Sequence, residues 1–278
     1  MNVCFSYPPF TKGHEGTGSA FAYLQDLGWL SSLSAGARVN APDFKLFQID
    51  MGLTKEGETH WEEVASVIFA YCRLLREKAK KEDDRDTTGS LRRIWKEMSE
   101  LDKIFFHETS PGGSYNYVPA LCSRVVSYGT EACLSAGSML DEDEGTLPIS
   151  DFARFSDLLV PENCLIERCS KAAYEEMESD KDRIFAEGFG LKKERWYGVE
   201  YFLSPIKNQV VSVWKGDGDA PDSTETKNNS IYPKELSLPQ PNRYIPQTLD
   251  LCPELPEDAR KGPRIEKPID PPSLLVNE

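Results

Sequence analysis

Histidine is the scarcest reactive residue in this chain. The 278 residues hold three, His14, His60 and His107. No His-x-x-Glu-His occurs, and no two of the three can share a metal from one helix face. In that motif the outer histidines hold zinc and the glutamate activates water, so the chain lacks the usual helical pair of an inverted zinc hydrolase. There is no Gly-x-Ser-x-Gly elbow for a serine nucleophile and no Gly-x-x-x-x-Gly-Lys phosphate loop. No apolar run reaches about 18 residues, so nothing in the sequence reads as a membrane span. Met1 to Phe10 has neither a basic segment nor a long apolar run, and does not read as a signal peptide. Positive charge is also in deficit. Lys and Arg number 32 against 46 Asp and Glu, for a net charge of −14. That argues against a nucleic-acid surface and suits a partner such as a basic peptide.

Cysteine is present, but without Cys-x-x-Cys spacing. The seven (Cys4, Cys72, Cys122, Cys133, Cys164, Cys169, Cys252) form an odd set. They read as reduced, mostly buried thiols of a cytoplasmic protein and not as a disulfide frame or zinc ribbon.

The periodicity describes alternating strands and helices. Asn2 to Tyr7 is β-like, and Pro8 and Pro9 end it. Thr17 or Ser19 can cap a helix carrying Ala20, Tyr23, Leu24 and Leu27, which Gly28 stops. Leu30 to Ser34 reads as a strand. Phe44 to Met51 carries apolar groups on both faces and reads as a buried strand. Thr54 opens a long helix with an apolar stripe of Trp61, Val64, Ile68, Tyr71 and Leu75. Lys78 to Asp86 is a charged break. Leu91, Ile94, Trp95, Met98, Leu101 and Phe105 form the clearest helical stripe. Ser110 to Ser114 is a loop, Tyr117 to Tyr128 a helix, Ser150 a cap for a helix through Phe152 and Phe155, and Cys164 to Ile166 a strand. Residues 1–216 thus read as one domain. Residues 217–278 read as a flexible polar segment, Asp217 to Asn229, followed by a Pro-rich linker.

Candidate chemistry is thin. His60-Trp61-Glu62-Glu63-Val64 imitates the start of the zinc motif, but Val64 stands where the second histidine is required. The sequence there reads as the polar face of an amphipathic helix. His107-Glu108 follows a helix and reads as surface. Trp196-Tyr197-Gly198 reads as a packed aromatic turn. Gly13-His14-Glu15, just before a helix, could let a peptide backbone approach closely or could be a tight turn.

Ordered segments across nearly the whole chain point further. They are Gly13-His14-Glu15-Gly16-Thr17-Gly18-Ser19, Leu27-Gly28-Trp29, Asp50-Met51-Gly52-Leu53-Thr54-Lys55-Glu56-Gly57, Val160-Pro161-Glu162-Asn163, Glu194-Arg195-Trp196-Tyr197-Gly198-Val199-Glu200-Tyr201 and Asn242-Arg243-Tyr244-Ile245-Pro246. Together they resemble the second, metal-free domain of insulinase/pitrilysin-type zinc metallopeptidases. The resemblance implies an α+β fold, an antiparallel-rich sheet covered by helices, with an extended Pro-rich C-terminal tail.

The resemblance also implies a role. Four related domains close on a peptide, zinc belongs to the first, and the second walls the chamber. It places a peptide-binding exosite at Gly13, Glu15, Leu33 and Ala35, where an edge strand pairs with an extended peptide and Glu15 meets its N-terminal ammonium. Gly is usual in the family where Ala35 stands. The expectation is a chain without catalytic or metal residues of its own, inactive alone. Its partners would be peptides and the other domains or chains of such a peptidase, with no nucleic acid or membrane involved. A non-enzymatic partner of a separate peptidase chain is the alternative, or a truncated product, since neither the zinc domain nor the third domain is present.

Overall fold

The computed structural model describes residues 2–6, 15–40, 45–82, 90–108, 110, 112–135, 138, 149–186, 189–216, 233 and 235–246. Gly13 and His14 lie outside the described residues, as do 217–232 and 247–278, where the polar segment and most of the Pro-rich stretch were expected. The chain divides into residues 1–242 and 243–278. Only 243–246 of the second unit are described, and the fold below is that of the first.

Four strands form one antiparallel sheet: β1 (Asn2–Ser6), β2 (Leu30–Asn40), β3 (Lys45–Leu53) and β4 (Leu165–Glu167). Their order is β2-β3-β1-β4, which leaves β2 at an edge among the described residues. Phe47, Ile49 and Met51 of β3 are buried on one face. Gln48 and Asp50 alternate with them on the other, joined by a 2.5 Å hydrogen bond from the Gln48 amide. So the expected buried strand is there, with a polar reverse face.

Helix α1 (Ala20–Asp26) begins where Ser19 Oγ accepts from the Ala22 N–H at 3.0 Å. Thr54 caps α2 (Lys55–Thr59), not the long helix directly. His60 breaks the run, and α3 (Trp61–Lys81) follows. Val64, Ile68, Phe69 and Cys72 of α3 are all buried. These positions span more than a single stripe because α3 is covered twice. The core with α6 (Ile149–Leu158) lies on one side, and α9 (Asn208–Lys215) on another, where Phe69 stacks on Trp214 at 5.3 Å. Arg76 donates to the carbonyls of Ser156 and Leu159 at the end of α6, where a cation offsets the negative helix terminus.

Helix α4 (Ser90–Glu108) buries Leu91 but exposes Leu101 and Phe105 toward its other end. Glu82 receives the Leu91 N–H at its start at 2.9 Å. Helix α5 (Ser114–Ala132) buries no residue. Helix α6 starts one residue before Ser150. Helices α7 (Lys171–Ser179) and α8 (Lys181–Ala186), the hairpin of β5 (Gly190–Lys193) and β6 (Glu200–Leu203), and α9 complete the unit.

Residues 236–242 form no helix or strand, in keeping with Pro239 and Pro241, and they are anchored. Leu236 and Leu238 are buried in the core, the Ser237 N–H donates to the Gly18 carbonyl at 2.9 Å, and Arg93 donates to the Pro239 carbonyl. Of the five cysteines whose side chains are described, all free thiols, Cys72 and Cys133 are buried, Cys164 is half-buried, and Cys122 and Cys169 are exposed. The expectation of mostly buried thiols fails for the last two because α5 and the segment after β4 present them outward.

Candidate peptide-binding edge

The edge strand β2 starts at a braced corner. Gly28, at φ +74°, turns the chain out of α1. Thr54 then ties the corner from the far end of β3. Its Oγ1 donates to the Gly28 carbonyl at 2.8 Å, its N–H donates to the Trp29 carbonyl at 3.0 Å, and its Oγ1 accepts from the Gly57 N–H at 3.0 Å. The His60 ring lies flat on Trp29, with centroids 4.4 Å apart and planes 8° from parallel. His60 therefore braces the start of β2 and is not a residue of a polar helix face. Its Nδ1 stands 3.5 Å from Glu63 Oε1.

Beyond the corner, β2 runs beside β3 with Leu33 opposite Met51 and Ala35 opposite Ile49. The ladder shifts register twice, between Leu30 and Ser32 and between Ala37 and Val39. Leu33 and Ala35 are half-buried and line a cavity on the helix side, whereas Ser32 and Ser34 are exposed. Leu33 and Ala35 thus share one edge, and what that edge offers an incoming strand is its main chain. Glu15 is exposed, just before the turn in which the Ser19 N–H donates to the Gly16 carbonyl at 3.0 Å. Gly13 is not among the described residues.

No group of three His, Cys, Asp or Glu side chains stands together among the described residues. His60 is occupied with Trp29, and His107 lies exposed in the last turn of α4.

The turn joining β5 to β6 departs from the sequence reading. Trp196 and Tyr197 are 79 % and 90 % exposed. They form a turn as expected, but they do not pack. Glu194 shapes the turn. Its Oε2 accepts from the Tyr197 N–H and its Oε1 from the Trp196 N–H, each at 2.6 Å, while its own N–H donates to the Val199 carbonyl at 2.8 Å. Arg195 lies over the Trp196 ring at 5.2 Å. A glutamate two residues before an aromatic pair and Gly was the available signal. It went unread because the carboxylate bonds to backbone.

The N–H groups of Tyr197 and then Trp196 hold the Glu194 carboxyl below its ordinary pKa. The clamp is therefore complete above the usual glutamate range and is lost as pH falls through the lowered value. The Tyr197 and Trp196 amide proton resonances should move together through that acid step. They should stay still in Glu194→Gln, and a step that persists in the variant would disprove the clamp.

Comparison with known proteins shows the family and the fold. The family model described as the middle or third domain of peptidase M16 matches residues 106–277. The chain belongs to the peptidase M16 family. Human insulin-degrading enzyme is 26% identical over 255 residues, covering 92% of this chain and 21% of that protein. The Arabidopsis thaliana "Insulin-degrading enzyme-like 1, peroxisomal" is 28% identical over 244 residues, covering 86% and 20%. Rat nardilysin is 26% identical over 256 residues, covering 89% and 19%. The chain spans about a fifth of the length of the curated relatives it matches. The crystal structure of pitrilysin superposes on 89% of this chain and 24% of its own, with a TM-score of 0.65 at 19% identity. This is the fold of a middle domain of the M16 insulinase-type peptidases, which degrade peptides. No described helix is long and apolar enough to cross a membrane.

Proposed function

We propose that this M16 middle domain is a wall of a peptide-holding chamber and does not hydrolyse peptides by itself. Extended peptides dock along Leu30 to Gly36, and Glu15 meets the N-terminal ammonium group. The observation that carries the reading is the place of β2 at the end of the sheet order. An edge strand offers N–H and C=O groups to a further strand. Leu33 and Ala35 keep the strand seated through their inward side chains, while Glu15 supplies charge selection. The zinc chemistry of the family belongs to another domain, and the working compartment is the cytoplasm. The name of the Arabidopsis relative places that protein in the peroxisome.

A lone edge bears the ordering cost without an enclosing chamber, so affinity should be weak, roughly micromolar to millimolar. The test pairs an extended peptide and its N-acetylated form with the native chain and Glu15→Gln. Acetylation removes the charge that Glu15 would meet. It should weaken binding to the native chain about three- to five-fold and leave binding to the variant unchanged. Equal weakening in both proteins would show the two groups are not coupled. The peptide should also be recovered uncut by mass spectrometry. Chelator-sensitive cleavage abolished by His60→Ala would refute the non-hydrolysing reading.

A further inference from the structure

The first unit contains a cavity of about 170 Å³ that the peptide edge does not use. It lies between the inner face of the sheet, at Leu33 and Ala35, and the helices α3, α4 and α6. Its origin is the half-seated α4. Leu91 buries one end of that helix, Ile94, Trp95 and Met98 are only half-buried, and Leu101 and Phe105 are exposed. The helix stands off the sheet, and the gap below it is left open.

The chemistry of the walls decides what fits. Among the described residues, no Asp, Glu, Lys, Arg or His lines the cavity. Its two titratable groups are the Tyr71 hydroxyl and the Cys72 thiol, each pushed up to about 12, first of all by burial. Both stay neutral near pH 7. Water needs several polar partners to occupy a void and a charged guest needs a counter-charge; the described lining is mostly apolar and holds no counter-charge. A cavity of about 150 Å³ with aliphatic and aromatic walls stays dry and admits benzene, so this volume suits a slightly larger guest. Met98 and Trp95, half-buried on the outer helix, give that side an adaptable wall.

We propose that this cavity is a binding site for a small neutral apolar molecule, a single aromatic ring bearing a short alkyl group. The guest sits between Ala35 on the sheet and Trp95 and Met98 on α4. It seats α4 against the sheet.

Toluene is the probe, read by the methionine methyl signals of the native chain. The Met98 methyl resonance should shift and saturate, with a dissociation constant of about 0.1–1 mM. The methyl of Met177 on α7 should not move. Benzoate, with the same ring and a charge, should leave Met98 still at the same concentration. Ala35→Leu adds side-chain volume to the cavity wall and should weaken toluene binding at least tenfold. Ile94→Phe fills the space from the opposite wall and does the same if Ala35→Leu does not fold. An unsaturating drift of all methyl signals, no shift of Met98 up to a toluene-saturated buffer, equal binding of benzoate, or undiminished binding in a folded filled variant would each overturn the site.

Discussion

Trp214→Ala should destabilise the chain by about 3–5 kcal/mol, the range for removing a fully buried large aromatic. Trp214 is 1 % exposed. Its ring stacks on Phe69 at 5.3 Å and meets Trp61 edge-on at 6.2 Å, and its indole N–H donates to the Glu62 carbonyl at 2.9 Å. Its own carbonyl accepts from Arg73. Trp61 continues outward to Arg168, whose guanidinium lies 4.6 Å over the ring. The residue therefore fastens α9 to α3 through packing and through a buried donor that has a partner. Trp214→Phe should keep much of the packing, leave the Glu62 carbonyl without this donor and cost about 1–3 kcal/mol. Denaturant midpoints of the three proteins give the comparison. A loss under about 1 kcal/mol for the alanine variant would show that α9 is not part of the cooperative unit.

Gly57→Ala is expected to cost about 2–4 kcal/mol, with the opposite sign to helix propensity, under which alanine gains about 1 kcal/mol over glycine. A Cβ built on Gly57 would stand 2.0 Å from the Trp29 carbonyl oxygen and 2.8 Å from the carbonyl carbon. Both are backbone atoms at the start of β2, which Thr54 and His60 also hold. The clash cannot be relieved by a rotamer, so the corner itself must open. Gly36→Ala is the control: on β2, nothing lies within 4 Å of the added carbon, so it should be neutral or mildly stabilising. Thermal or denaturant unfolding checks both. A Gly57→Ala protein as stable as the native chain would mean that the corner is not braced in solution.

Much of the fold was legible where the signal is local. Ser19 could be read as a cap because it precedes Ala20, Tyr23 and Leu24 at helical spacing. The apolar groups on both faces of Phe44 to Met51 placed β3. What escaped is long-range. Trp214 finds Glu62 across 152 residues of sequence, so nothing near α9 announced its burial. The reading stopped β2 at Ser34, yet it continues to Asn40 because β3 supplies partners as far as Lys45. Gly57 stands in the helix that Thr54 opens, and the close approach of the Trp29 carbonyl is visible only in three dimensions. Of the candidate edge, the strand itself could be seen in Leu30 to Ser34. Its outer position could not, since that depends on β1 lying between β3 and β4. The stripe on α4 was plain, but periodicity cannot show how far a helix stands from the sheet.

The two register shifts of β2 have a consequence for length. Between them Ser32 to Ala37 pairs without interruption with Gly52 to Phe47. At about 3.3 Å per residue, six residues give a straight rail of roughly 20 Å. Ser31 and Arg38 are the extra residues at its ends, and bulges bend and twist a strand. A further strand laid on this rail would keep step for about six residues and then be thrown off at both ends. On the proposed peptide-docking role, the edge would act as a ruler. Shortening an extended peptide toward six residues should leave its affinity nearly unchanged, and each residue removed below that should cost main-chain bonds.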